Sequence, residues 1–447
     1  MSMRSRFYRG LDVLRWWITN PQVLEVRRFL AESQWWPPQR IRAYQDDSLR
    51  ALIEYAYKHV PYYRSIMKAR GLTPKDIRTV DDLEKLPILD KQTLRENWKG
   101  LISDEVDPDR VPVRRTGGTT GEPLRIALDP RNWAYEHGAF LRGLSFGGYQ
   151  QGEKMVKLFG GTLGLSPESF WGRIKARLSG EIFLPAFELS SQNVSQYVET
   201  IQRSKAEFLR GYSSAVYLLA KLMAEAGLRL RLQAVFPTAE TLYDPQREMI
   251  EENLGKVFEY YGCGELNSIA FECEAHQGLH VSEEHVFLEV LREGKPAPEG
   301  EMGAVTLTTL QNYTMPLIRY QNGDVAIRAN QPCPCGRGLG KIARILGRIN
   351  DLLRAKDGRL ISGAFIPHLF RVTEGVQQVQ VIQETEDLLL VKVVKGPRFT
   401  EREMETMLET IRRYLGEVTI KLEYVDCIPT TPMGKLRFVI SKVVERL

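Results

Sequence analysis

The chain of 447 residues has few cysteines and lacks long apolar runs. Five cysteines are a low and odd number for this length, which argues against a framework of disulfide bonds. No uninterrupted apolar run approaches the roughly 20 residues that a membrane-spanning helix requires. A small disulfide-rich scaffold and an integral membrane protein are therefore excluded as first interpretations.

The chain also lacks a strong excess of charge of one sign. Lys and Arg number 61 against 56 for Asp and Glu, a net charge of +5, and the basic residues are scattered. This distribution does not predict a nucleic-acid-binding surface. The N-terminal segment has basic residues but no continuous apolar stretch followed by a small-residue cleavage site. The sequence therefore predicts a cytoplasmic protein.

What is present is an ordinary globular composition, with 43% apolar and 26% charged residues, and a periodic alternation of elements. Between about residues 110 and 310, strand candidates alternate with helical stretches, which predicts βαβ units and a parallel or mixed sheet. Examples of these segments are KMVKLFG, AEFLRGY, AVYLLAKLMAEAG and LQAVFPTAETL. Farther on, VFLEVL and AVTLTTL flank a Gly/Pro-rich turn and predict a hairpin or a small barrel.

The pattern changes near residue 347. Beyond it, QVQVIQ, LLLVKVV and TIKLEYVD are predicted strands, and EREMETMLETIRRYLG is a predicted amphipathic helix. The predicted fold class is α/β, with a large N-terminal domain of mixed sheets, helices and a small β-rich subdomain, and a small α+β C-terminal domain. The predicted boundaries give a helical extension at 1–45, a large domain at 46–347 and a small domain at 348–447.

The first 40 residues combine tryptophans with arginines. The residues concerned are Trp16, Trp17, Trp35, Trp36, Arg4, Arg6, Arg9 and Arg15. A basic segment that carries tryptophans is able to lie on a membrane surface. The alternative is an N-terminal helix packed on the body of the protein, and the sequence leaves both open.

The strongest chemical motif is a loop of glycines and threonines. It consists of Thr116, Gly117, Gly118, Thr119, Thr120 and Gly121. Glycines let the backbone approach an anion, and successive N–H groups with threonine hydroxyls are suited to bind phosphate. The loop contains no lysine and is not a Walker motif. Taken alone, it is either a phosphate-binding loop or a polar hairpin turn.

Four later motifs follow this loop in a fixed order: Tyr261–Glu265, Pro316–Asp324, Gly347–Asp351 and Pro429–Lys435. Together with the Gly/Thr loop, they resemble the adenylate-forming superfamily of acyl-CoA synthetases, adenylation domains and luciferases. The likeness extends from about residue 45 to the end of the chain. It is greatest to the phenylacetate–CoA ligase branch, which includes capsule-biosynthesis and coenzyme F390 synthetase-like proteins.

The resemblance implies a role for each matching residue. Thr116 to Gly121 match the loop that holds the β- and γ-phosphates of ATP, and Ala239, Glu240 and Thr241 match the stretch against adenine. Tyr261 and Gly262 match the pair that flanks adenine and the acyl group. Asp324 matches the carboxylate that binds the ribose hydroxyls, Arg348 an arginine that contacts ribose or phosphate, and Glu265 the ligand of Mg²⁺. Lys435 matches the catalytic lysine of a mobile C-terminal domain.

The implied activity is that of an AMP-forming acid ligase. A carboxylate attacks the α-phosphorus of ATP, pyrophosphate leaves, and the acyl group passes to a thiol, most simply that of coenzyme A. Because both reactants are anions, the site must neutralise charge and align them. Lys435 is suited to place a cation between them, and Mg²⁺ on Glu265 is suited to bind phosphate oxygens.

Two positions depart from the family pattern. Gly264 stands where the second motif usually has Ser or Thr, so the hydroxyl that helps to bind the acyl-adenylate is missing. Asn350 stands where the hinge usually has Asp. Because Asn tolerates unusual backbone angles, Asn350 is predicted as the hinge residue about which the small domain rotates.

Cysteines and histidines form a candidate zinc site. Two pairs of soft ligands suit a closed, tetrahedral structural zinc. The predicted quartet is Cys273, His276, Cys333 and Cys335, with His280 as the substitute for His276. Members of the F390 synthetase-like branch show a similar pattern. Of the remaining cysteines, Cys263 is predicted to line a pocket and Cys427 to lie in a core strand.

Two alternatives to a CoA ligase stay open. The acyl acceptor is an amine in the first, and the chain is a nucleotide-binding scaffold without catalysis in the second. The predicted partners are a small carboxylic acid and an acyl acceptor, and a homodimer is the default for this branch. The sequence does not identify the acid.

Overall fold

The computed structural model describes residues 10–14, 16–18, 20–115, 124–160, 180–329, 331–363, 366, 375–396, 399–429 and 437–444. The Gly/Thr loop and Lys435 lie outside these residues. Among the described residues, no helix is both long enough and apolar enough to cross a bilayer.

The N-terminal layer is helical. It contains α1 (Gln22–Ser33), α2 (Pro38–His59), α3 (Pro61–Ala69) and α4 (Lys91–Glu96). Leu49, Leu52, Ile53 and Ala56 of α2 are fully buried, as their spacing of three and four residues predicts. Helix α2 is continuous through residues 45 and 46. No break in secondary structure therefore marks the predicted boundary at residues 45 and 46, and that boundary stays a prediction.

A four-stranded parallel sheet forms the first half of the large domain. Its strands, in spatial order, are β4 (Glu181–Pro185), β3 (Met155–Phe159), β5 (Phe208–Tyr212) and β6 (Ala234–Thr238). The helices around it are α5 (Pro130–Phe146), α6 (Val194–Ser204), α7 (Ser213–Glu225) and α8 (Asp244–Asn253). The predicted βαβ pattern is confirmed, and the segment AVYLLAKLMAEAG belongs to α7. Because the strands are parallel, their carboxyl ends meet at one edge, where such sheets bind ligands.

An eight-stranded sheet forms the second half. Its strands are β7 (Tyr260–Tyr261), β8 (Ala270–Glu272), β9 (Leu279–Val281), β10 (Val286–Arg292), β11 (Lys295–Pro296), β12 (Met302–Thr309), β13 (Tyr320–Ala329) and β14 (Lys341–Arg348). The spatial order is β11-β10-β12-β13-β14-β9-β8-β7. The predicted hairpin is confirmed, because β10 and β12 are antiparallel neighbours. Val286 lies opposite Thr309 at one end of the pairing, and Leu291 lies opposite Ala304 at the other.

The C-terminal unit contains a short strand pair and a separate four-stranded sheet. The pair is β15 (Leu352–Arg354) with β16 (Leu360–Ser362). The sheet has the order β19 (Thr419–Tyr424), β18 (Leu388–Lys395), β17 (Val376–Thr385) and β20 (Val439–Ser441). Helix α9 (Glu401–Leu415) buries Met404, Met407, Ile411 and Leu415, each burial contributing roughly 1.5–3 kcal/mol. The elements predicted for this region are confirmed.

Candidate active site

A network of polar side chains joins β13 to β14 and β7. Asp324 and Arg348 are direct cross-strand partners, and Arg348 Nε lies 3.0 Å from Asp324 Oδ1. The negative charge of Asp324 is the main cause that raises the pKa of Arg348. Asp324 is nearly buried, at 7% exposure, so this carboxylate is fixed in place rather than free in solvent.

The second oxygen of Asp324 accepts two hydrogen bonds. Tyr261 donates its hydroxyl at 2.7 Å and Asn322 donates its amide at 2.6 Å. Burial raises the pKa of Tyr261 well above its usual value, which keeps the phenol protonated as a donor. We call Tyr261, Asn322, Asp324 and Arg348 the Asp324 network. These groups are paired with one another within the protein, so their donors and acceptors are fixed in place.

Glu265 lies beside this network. The hydroxyl of Tyr320 donates to Glu265 Oε1 at 2.8 Å, and both residues are buried. Glu265 also lines a small pocket together with Glu136, Asn132, Asn312 and Arg114. A buried carboxylate held at one oxygen and surrounded by other oxygen donors fits a hard cation such as Mg²⁺.

The stretch Ala239–Thr241 crosses from the parallel sheet toward the Asp324 network. Ala239 has a left-handed backbone, with φ of +65°, a conformation that L-residues adopt only where the surroundings enforce it. The Glu240 side chain accepts from the backbone N–H of Ser214 at 2.8 Å, and its carbonyl accepts from the Ser213 hydroxyl at 3.0 Å. These bonds fix the stretch to the start of α7.

A cation that sequence reasoning missed faces the same site. Lys91 is the first residue of α4, and its pKa is lowered by burial and then by the charge of Arg348. Its charge also interacts with Glu265 and Asp324. A lysine in the first turn of a helix opposes the helix dipole. That unfavourable position was the one signal in the sequence that marks Lys91.

The Gly/Thr loop, Thr116 to Gly121, lies outside the described residues, but its flanks are described. The strands β1 (Val113–Arg115) and β2 (Arg125–Ala127) pair antiparallel, with Arg115 opposite Arg125. This pairing of the two flanking strands is compatible with both interpretations made from the sequence.

A cluster of cysteines and one histidine lies at the opposite end of the β13–β14 hairpin. Cys273, His280, Cys333 and Cys335 bring their ligand atoms within 4.8 Å of one another. The sulfur atoms of Cys273 and Cys333 are 3.6 Å apart, and His280 Nε2 lies 3.2 Å from Cys335 Sγ. We call these four residues the cysteine–histidine cluster.

The histidine of this cluster corrects the predicted quartet. His276 lies outside it. Its Nδ1 is 3.0 Å from Glu272 Oε1, and its own backbone is left-handed, with φ of +51°. His280, the predicted substitute, takes its place. Its Nδ1 lies 3.0 Å from the carbonyl of Leu339, which leaves Nε2 as the ligand atom, the arrangement common for metal-bound histidines.

The remaining cysteines differ in exposure. Cys263 is buried, and burial raises the pKa of its thiol, which disfavours the nucleophilic thiolate form. Cys427 is exposed, which corrects the prediction of a core position. It lies three residues after the end of β19, outside the strand.

Comparisons with known proteins agree with this architecture. Residues 353–442 match the model of the CapK C-terminal domain. The chain is 27% identical to the phenylacetate-coenzyme A ligase of Thermus thermophilus over 84% of this chain and 86% of that protein. It is 24% identical to the protein CapK of Staphylococcus aureus over 89% of each. The chain is a homologue of phenylacetate-coenzyme A ligases and CapK.

A solved structure has the same fold. The crystal structure of 2-hydroxyisobutyryl-CoA ligase in the postadenylation state, in complex with R3-HIB-AMP, aligns with a TM-score of 0.73. The alignment covers 92% of both chains at 20% identity. The predicted fold class, with a large N-terminal and a small C-terminal domain, is confirmed.

The link into the region that matches the CapK C-terminal domain follows β14. Asn350 lies in a short 3₁₀ helix, Ile349–Asp351, whereas Gly347 has the left-handed backbone, with φ of +103°. Asp351 accepts from the N–H of Arg348 at 3.1 Å and forms an ion pair with Arg437 at 3.1 Å. The unusual backbone expected at Asn350 is therefore found at Gly347, and Asp351 connects the two sides of the link.

Proposed function

We propose that this protein is an ATP-dependent, AMP-forming carboxylic acid ligase that transfers the acyl group to coenzyme A. The Asp324 network beside Glu265 is the observation that carries the proposal, because it combines a fixed carboxylate suited to sugar hydroxyls with a carboxylate suited to a cation. Relatives named as coenzyme A ligases, and a structural neighbour that binds an acyl-AMP, support it.

The side chains divide the chemistry between them. Asp324, oriented by Tyr261 and Arg348, would accept the ribose hydroxyls, and Ala239–Thr241 would lie along the adenine. Glu265 would hold Mg²⁺, which neutralises phosphate charge when it is bound. Thr116 to Gly121 and Lys435 keep the roles that the resemblance implies, with Lys91 as a further cation for the phosphates. Fixed charges of this kind stabilise the transition state without reorganisation.

The test is acid-dependent exchange of pyrophosphate into ATP, measured over aryl, fatty and amino acids without any acceptor. Exchange with one class of acid would establish adenylation. If no acid supports exchange but calorimetry shows that the protein binds ATP, the non-catalytic scaffold is favoured. The acceptor is then found by adding coenzyme A or amines, and an amide product would replace the thioester in the proposal.

The cysteine–histidine cluster is proposed as a structural zinc site. Three sulfurs and one imidazole nitrogen within 4.8 Å of one another match the tetrahedral ligand set that zinc prefers. Since the cluster joins the β13–β14 loop to β9 and the end of β8, a bound ion would hold these segments together and would take no part in adenylation. Metal analysis of the purified protein tests the assignment, and a protein without zinc would contradict it.

The N-terminal helical residues are proposed to contact a membrane surface. Leu14, Trp17 and Ile18 are exposed, at 53%, 68% and 67%, whereas Trp16 is buried against Trp133. Arg4, Arg6 and Arg9 precede them and favour anionic lipid. Flotation with anionic vesicles should require these residues. If the double variant Trp17→Ser/Ile18→Ser floats as well as the wild-type protein, the contact is contradicted.

The cytoplasmic location, the homodimer, the rotation about residues 347–351 and the domain boundary at 347/348 stay predictions.

A further inference from the structure

Arg210 occupies an aromatic box next to the proposed active site. It is the central residue of β5, is half-buried, and donates from Nε to the hydroxyl of Tyr260 at 2.7 Å. Its guanidinium carbon lies 4.7 Å from the ring centre of Phe140, 5.2 Å from that of Phe159 and 5.4 Å from that of Tyr260. We call these four residues the Arg210 box.

The charge of Arg210 is not matched by a carboxylate in the described part of the chain. Elsewhere the buried Arg142 pairs with Glu284, and the buried Arg319 pairs with Glu289. The described contacts of Arg210 are one phenol and three rings. Cation–π attraction replaces only part of the hydration that a cation loses, and the two Nη groups make no hydrogen bond to described residues. An anion that reaches the box would accept hydrogen bonds from these Nη groups and balance the charge of Arg210.

The position of the box relates it to the acyl substrate. Tyr260 and Tyr261 are consecutive on β7, so their side chains point to opposite faces. Tyr261 points to the Asp324 network, and Tyr260 points to Arg210. Two residues beyond Arg210, β5 ends, and Ser213 binds Glu240 of the proposed adenine stretch. The box therefore lies across β7 from the Asp324 network and adjoins the proposed adenine stretch through the end of β5. We place the body of the acid on this side of the proposed nucleotide site.

We propose that Arg210 selects acids that carry a second carboxylate, which the guanidinium binds at the end remote from the carboxylate that is activated. Arginine and carboxylate form two parallel charge-assisted hydrogen bonds. The rings of Phe140 and Phe159 would contact the apolar body between the two carboxylates. This substrate class rests on the proposed function, since it assigns the far end of the same acyl site.

The experiment compares matched acids in pyrophosphate exchange. Each pair consists of a monoacid and the corresponding diacid: phenylacetate with 1,4-phenylenediacetate, benzoate with terephthalate, and hexanoate with adipate. Wild-type protein should favour a diacid by about 10-fold or more in kcat/KM, the effect of one charged hydrogen bond. Arg210→Met should remove this preference by raising KM for the diacid, with little change for the monoacid, and Arg210→Lys should retain part of it.

Control variants and a binding measurement keep the outcomes distinct. Arg203→Met replaces an arginine that is 78% exposed on α6 and should change nothing. Thermal shifts with AMP plus each acid report binding without turnover, and unliganded melting shows whether Arg210→Met folds. Exchange or binding that favours monoacids, or that is indifferent to Arg210→Met, overturns the diacid assignment and leaves the ligase intact. Absence of exchange with preserved, Arg210-dependent diacid binding overturns the ligase and retains the assignment.

A separate control concerns Glu168, the acidic residue in the segment 161–179, as a candidate ion-pair partner of Arg210. Glu168 lies outside the described residues, and Glu168→Gln tests whether it is the counter-ion of Arg210. An unchanged preference for the diacid supports the assignment. If Glu168→Gln creates a diacid preference that the wild-type protein lacks, Glu168 is the partner of Arg210 and the assignment is overturned.

Discussion

The Asp324 network and the cysteine–histidine cluster lie at opposite ends of one hairpin, β13–β14, and both gather residues from distant parts of the chain. The network consists of hard oxygen and nitrogen groups that are hydrogen-bonded to each other, with charges on Asp324 and Arg348. The cluster consists of soft ligands, with two sulfurs 3.6 Å apart. The first arrangement suits transient binding of polar ligands, and the second suits permanent binding of a metal. Changes at the two ends should therefore affect different properties.

The largest effect is expected at the residue that acts on the reacting atoms. Lys435→Ala should reduce pyrophosphate exchange by roughly 100-fold or more, because one fixed cation at the developing charge is lost. ATP binding by calorimetry should be nearly unchanged. Lys442→Ala, a lysine on the same domain that pairs with Glu384 at 2.5 Å, is the matched control. Exchange that is unaffected by Lys435→Ala would contradict the mechanism.

The cluster should respond in stability and not in chemistry. The double change Cys333→Ser/Cys335→Ser should lower zinc content and destabilise the fold by on the order of 3 kcal/mol, since metal binding contributes folding free energy. At a temperature where both proteins are folded, kcat/KM should change less than about threefold.

The two histidines sharpen this result. His280→Ala should reduce zinc content as the cysteine changes do, whereas His276→Ala should leave it unchanged, because His276 contacts Glu272 instead. The reverse outcome would restore the quartet predicted from the sequence. Inductively coupled plasma analysis with parallel melting curves measures both quantities.

At the network end, Asp324→Ala should mainly weaken ATP binding, by about 10- to 100-fold, because the proposed acceptor of the ribose hydroxyls is lost. Stability should fall by about 1–3 kcal/mol, because the buried Tyr261 and Asn322 lose an acceptor, whereas Arg348 is 41% exposed and can be hydrated. Calorimetry with ATP and melting curves separate the two effects. A large loss of stability with intact ATP affinity would make Asp324 structural and would remove the contrast between the two ends.

The smallest effect is expected at Lys91. Lys91→Met should lower kcat/KM for ATP about 10-fold, through loss of one charged contact to phosphate. Because burial lowers the pKa of Lys91, its cation is present below that pKa and is lost as pH rises through it. Wild-type activity should therefore fall at alkaline pH, whereas Lys91→Arg should extend activity to higher pH. Identical pH profiles would exclude a role for this charge.

Sequence reasoning reached the parts of the site that lie in short, ordered motifs. Tyr261, Glu265, Asp324 and Arg348 stand in segments whose order alone suggested the family, and the structure brings all four together. The sequence could not decide whether His276 or His280 is the histidine of the cluster, because both follow Cys273 at spacings that suit a metal ligand. The left-handed backbone at His276 and the pairing of β9 with β14 decide which one faces the cysteines.

The sequence by itself determined the elements and their class, because apolar periodicity and turn residues act over short distances along the chain. It also determined which residues carry charge and soft ligands. Tertiary structure alone decided that Lys91, Glu265 and Asp324 share one site, and that Arg210 lies among aromatic rings without a carboxylate in the described residues. These facts depend on strand order and on contacts between segments far apart in sequence, which local patterns do not encode.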